Sequence, residues 1–86
     1  MSYTTEELEE VIHLIHSVEQ KTLNLKQDKE DGEDIGYEKD DVKEMWDEAN
    51  EAYKETLKHL HGEEKIKFSD QYGAVLTKVK QLIAKL

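Results

Sequence analysis

The 86-residue chain contains no cysteine and no proline. Lacking cysteine, it excludes disulfides, thiolate metal sites and thiol nucleophiles. Lacking proline, it has no residue that forcibly breaks a helix. Arginine is absent too: all twelve cations are lysine, so no guanidinium fork grips a phosphate or carboxylate. No apolar run approaches the roughly 20 residues a membrane span needs. The start, Met1-Ser2-Tyr3-Thr4-Thr5-Glu6-Glu7, has neither the basic residues nor the apolar stretch of a signal peptide. With the missing cysteine, this sets the expectation of a cytoplasmic protein. No glycine-rich phosphate loop and no nucleophile motif is found, and the Asp-Ser-Leu signature of carrier proteins is missing. No catalytic residue is assigned, no cofactor is expected, and the chain reads as a non-enzyme.

Positive charge is scarce where negative charge is dense. Between Asp28 and Glu48 lie eleven carboxylates and three lysines, carrying −8 of the chain's net −9. Residues 63–86 carry five lysines against three acids. An acidic chain is a poor direct ligand for nucleic acid or anionic lipid, since phosphate contacts need cations. Its natural partner is a basic protein.

Apolar residues recur at alternating spacings of three and four in three segments. The rows are Leu8-Val11-Ile15-Val18-Thr22-Leu25, Val42-Trp46-Ala49-Tyr53-Thr56-Leu60 and Phe68-Tyr72-Val75-Val79-Leu82-Leu86. This is the seam of helices packed at a shallow angle. Thr4 and Glu7 form a capping box, with Tyr3 and Leu8 placed as a hydrophobic staple. Gly32 and Gly36 punctuate the first junction. Gly62 suits the C-terminal cap of the second helix, and Ser69 or Asp70 suits the N-terminal cap of the third. The expectation is one all-α domain over 1–86, with helices near 5–27, 40–61 and 69–86. Short connections make this an antiparallel up-down-up three-helix bundle with an acidic loop between helices 1 and 2. Gly73, inside the third helix, marks either a close helix contact or a later helix start.

Four groups of residues bear on function. The segment 28–39 resembles a calcium-binding EF-hand loop in its opening acids. It departs at the positions that matter, with Glu33 where the turn needs Gly and Lys39 where the bidentate Glu belongs. Tight calcium binding is therefore not expected, and weak cation binding is an alternative. His13, His16, His59 and His61 stand near carboxylates at helical spacing, a pattern that suits zinc or nickel. As surface histidines they need no metal. Glu44, Asp47, Glu48, Glu51 and Glu55 share one face of the second helix. Finally, Ile35 and Tyr37 are apolar residues in the acidic segment. They either fold over the bundle end or centre a binding patch.

The reading is a small acidic binding module, a regulator or inhibitor that docks a basic, nucleic-acid-binding partner by imitating a phosphate backbone. The expected contact surface is Asp31, Glu33, Asp34, Ile35, Tyr37, Asp40, Asp41, Glu44, Asp47, Glu48 and Glu51, drawn from loop 28–38 and the acidic face of helix 2. The alternatives are a divalent-metal-binding helical protein and a structural homo-oligomer. For the latter, Leu14 and Leu23 offer apolar flanks for a homodimer.

Overall fold

The computed structural model describes residues 4–86. Three α-helices, and no strand, form among these residues: α1 Thr5–Glu30, α2 Gly36–His59 and α3 Gly62–Lys85. Each helix packs against both others. No helix is long and apolar enough to cross a membrane among the described residues.

α1 starts where the capping box places it. The Thr4 hydroxyl accepts the Glu7 amide at 3.2 Å, satisfying one of the donors a helix start leaves open. Tyr3, the other half of the staple, lies outside the described residues. At every other end the helices run further than the pattern suggests. Asp28, Lys29 and Glu30 continue α1, because nothing breaks the chain before Gly32, whose φ of 87° reverses it. α2 begins at Gly36 rather than Asp40, since the Asp34 carboxylate accepts the Gly36 amide at 3.0 Å and caps an earlier turn. α3 begins at Gly62, seven residues before the expected start. Gly62 does not cap α2: α2 ends at His59, Leu60 is extended, and Gly62 opens α3 with a φ of 63°. Ser69 and Asp70 are therefore interior to α3. Glu63 and Glu64 occupy its first turn, where negative charge complements the helix dipole.

The core follows the seams. Val11, Ile15, Val18, Thr22 and Leu25 are buried on α1, and Val42, Ala49 and Thr56 on α2. On α3 the buried row is Phe68, Tyr72, Leu76, Val79 and Ile83, not the expected row through Val75, Leu82 and Leu86. Those three are half-buried against the core. The reason is that α3 meets two neighbours. Leu82 and Leu86 face the α1 side beside Lys26 and Lys29, and Ile83 faces the α2 side beside Trp46. The centre line between them falls on positions 72, 76, 79 and 83. Thr22 and Thr56 are wholly buried, and each hydroxyl donates to the carbonyl four residues back, Val18 at 2.7 Å and Ala52 at 2.8 Å. No buried side-chain polar atom among the described residues lacks a partner.

Polar ties join the helices above this core. The Trp46 indole N–H donates to the Leu76 carbonyl at 2.8 Å. The Lys80 ammonium sits 4.9 Å from the centre of the same ring. The Tyr53 hydroxyl donates to the Ser69 carbonyl at 3.3 Å, with its ring stacked on Phe68 at 5.7 Å. Lys29 Nζ donates to the Lys85 and Leu86 carbonyls at 3.0 and 2.6 Å.

Gly73 stands where Tyr53 crosses α3, and a Cβ built there falls 2.7 Å from the Tyr53 hydroxyl. The glycine is therefore a close contact point. Gly73→Ala gains about 1 kcal/mol of helix propensity but loses about 1–3 kcal/mol to overpacking. We expect a net loss of stability in urea unfolding. Adding Tyr53→Phe, which removes the obstructing oxygen, should recover most of it. A Gly73→Ala variant more stable than the native chain would show that Tyr53 moves aside freely.

Candidate functional site

The junction between α1 and α2 is short. Only residues 31–35 lie outside the two helices, so the expected loop 28–38 contracts to five residues. Asp31, Glu33 and Asp34 are exposed there. Its backbone is tied back to α1 by amides of Asp31, Gly32 and Glu33, bonded to the carbonyls of Gln27, Lys29 and Asp28. With Asp28 to Glu30 helical and Tyr37 to Lys39 opening α2, segment 28–39 is not a twelve-residue loop able to wrap a calcium ion.

Ile35 does not belong to the docking surface. It is only 8% exposed and joins the core cluster, closing the end of the apolar seam. Tyr37, two residues on, is 92% exposed. The first turn of α2 turns its ring outward while Val42, five residues later, is buried.

At about 100° per residue, Tyr37, Asp41, Glu44, Glu48, Glu51 and Glu55 fall within a sector of about 80° on α2. All six are exposed. Val42, Ala49 and Thr56 lie about 120° around the helix from the middle of that sector, so the core itself aims the stripe at solvent. None of the lysines of α2, Lys39, Lys43, Lys54 and Lys58, falls inside it. The stripe runs about 27 Å at 1.5 Å per residue. Asp40 and Asp47 flank it on the side of α3, where Asp47 shares a groove with Lys43, Trp46 and Lys80. Glu55 extends the surface beyond Glu51. Its helical spacing was the available signal.

These carboxylates lack internal partners. Among the described residues, Glu55 is the one stripe member in an ion pair, with Lys58 at 3.4 Å and His59 at 3.5 Å. Elsewhere on the stripe, like charges face each other at i, i+3 and i, i+4, costing a few tenths of a kcal/mol per pair.

The histidines do not converge. His13 lies 3.4 Å from the Ser17 hydroxyl. His16 faces Glu19 at 3.6 Å and the Tyr72 ring edge-on at 6.0 Å. His59 is with Glu55, and His61 is exposed at the start of α3. No three histidine or acidic side chains among the described residues are placed to hold one metal ion. No known protein family, curated protein or solved structure matches this chain.

Asp34 has a structural task, because it caps α2 through the Gly36 amide. Asp34→Ala should lower stability by about 1 kcal/mol, whereas Asp34→Asn keeps an acceptor and should cost far less. Equal thermal midpoints for the two variants would remove the capping role.

Proposed function

We propose that this protein is a non-enzymatic binding module that docks a basic protein partner on the outer face of α2. One observation carries the reading: a fully presented tyrosine heads a row of exposed, largely unpaired carboxylates with no lysine between them. A merely solvated face would ordinarily mix signs along its length, and exposed tyrosine is a frequent anchor in interfaces. The contact set is Asp31, Glu33, Asp34, Tyr37, Asp40, Asp41, Glu44, Asp47, Glu48, Glu51 and Glu55. Carboxylates regularly spaced along a rod resemble the phosphates of a nucleic acid. The partner that fits is therefore a nucleic-acid-binding protein, which this module regulates or inhibits in the cytoplasm by occupying its basic groove.

An antiparallel up-down-up bundle underlies this reading. Two pairings support it: Trp46, early in α2, bonds to Leu76, late in α3, while Tyr53 further along α2 bonds to Ser69 early in α3. Lys29 and the Lys85 carbonyl, each at its helix's C-terminal end, are paired as well. In such a bundle the outer face of α2 is rigid and preformed.

Exposed charges act over a Debye length of about 8 Å at physiological salt. Binding should weaken steeply with ionic strength, chiefly through the on-rate. Glu44→Gln/Glu48→Gln/Glu51→Gln should lose the partner in a tagged pull-down, and Tyr37→Ser should weaken it. The triple variant should also be more stable than the native chain by about 0.5–1 kcal/mol, because like-charge pairs disappear. Retention of the same partner by the folded triple variant would sink the proposal.

A further inference from the structure

The side of the molecule away from α2 is different in kind. There α1 and α3 meet along a groove lined by Lys26, Lys29, Glu30, Leu82, Lys85 and Leu86. Leu23, 38% exposed, lies one turn before Lys26 on α1. Lys78, also exposed, lies one turn before Leu82 on α3. The groove thus has leucines along its floor and lysines on both rims, with Glu30 opposing them at one end. Lys29 is spent on the carbonyls of Lys85 and Leu86. Lys26, Lys78 and Lys85 enter no ion pair among the described residues.

We propose that this groove docks the outer face of α2 of a second copy of the same chain. Both complementary surfaces are present in one molecule. Lys78 and Lys85 are seven residues apart on one helix, and so are Glu44 and Glu51, or Glu48 and Glu55, on the other. Each pair spans about 10 Å, so two turns of lysines register with two turns of carboxylates. The exposed leucines supply apolar cover for Tyr37. The net charge of −9 does not forbid the contact. The molecule is 19 × 15 Å in cross-section, about two Debye lengths at physiological salt, so charges on the far side are screened while the apposed faces are not. Since each helix packs against both others, the α1/α3 groove faces away from α2. Copies therefore add head to tail, a heterologous contact that does not close on itself as a two-fold dimer does.

The inference rests on the α2 stripe being a docking face, but it needs no foreign partner. A basic protein and a second copy would compete for the stripe, so self-association would keep it covered until that partner arrives.

Sedimentation velocity over a concentration series tests this. Weight-average mass should rise with concentration at about 50 mM salt and return to the monomer at about 500 mM. Lys26→Gln/Lys78→Gln/Lys85→Gln and Glu44→Gln/Glu48→Gln/Glu51→Gln, all at exposed positions, should each remain monomeric alone. Mixed, they should give a 1:1 pair that grows no further, because each keeps one intact surface. Far-UV circular dichroism checks that both variants fold. The single change Lys78→Gln, which should weaken association several-fold, replaces the lysine triple if that variant does not. A native chain that stays monomeric at every concentration, or a groove variant that associates like the native chain, overturns the proposal. Binding of a lysine-rich peptide to the groove variant separates the two readings. If the peptide binds while the native chain is monomeric, the stripe survives as a docking face and self-docking alone falls. If neither occurs, both fall.

Discussion

None of these helices is stable by itself, and the burial of one narrow seam from each against the other two is the constraint on which everything else depends. The centre of that seam is built from small and β-branched residues: Ile15, Val18, Thr22, Val42, Ala49, Thr56 and Val79 are all essentially inaccessible. Small side chains let the helix axes approach, and their stiff χ1 angles leave few alternative packings. The two buried threonines cost little, because each returns its proton to its own helix. A seam this narrow leaves most of each helix circumference unburied. The wide outer faces are then free to carry charge without disturbing the fold.

The seam also fixes rotation. Once Val42, Ala49 and Thr56 are turned inward, the positions of Tyr37, Asp41, Glu44, Glu48 and Glu51 are decided by helical geometry alone. Ile35 locks the start of α2 by folding under the chain end, and Asp34 caps the first turn. The two neighbours of Tyr37 thus serve structure and leave the tyrosine exposed. On the other side, the offset of the α3 seam toward Leu76 and Ile83 leaves Leu82 half-exposed toward α1, which gives the second groove its apolar floor.

How far the chain could be read from its letters depended on which forces left a periodic trace. The rows in α1 and α2 were legible, because burial on a helix repeats every three or four residues. The capping box at Thr4 was legible for the same local reason. The α3 row was misplaced, since Val75 and Leu76 are both apolar and only the direction of the two neighbours decides between them. The helix starts at Gly36 and Gly62 were missed because glycine more often ends a helix than opens one. Here an aspartate two residues before Gly36 and a positive φ at Gly62 reversed that preference. For the candidate site, the acidic face of α2 was legible from spacing. The burial of Ile35 was not, nor was the pairing of Lys26 with Leu82 across two helices. Both depend on contacts between residues far apart in the chain.

The single tryptophan occupies an unusual position. Its indole N–H holds a backbone carbonyl of α3, and its ring face is covered by a lysine from the same helix. Neither contact survives if α2 and α3 separate, and no other indole contributes to the signal. Nature has in effect placed one fluorophore at the seam between two helices. Its emission reads the opening of that seam, which makes the protein its own optical gauge of helix docking.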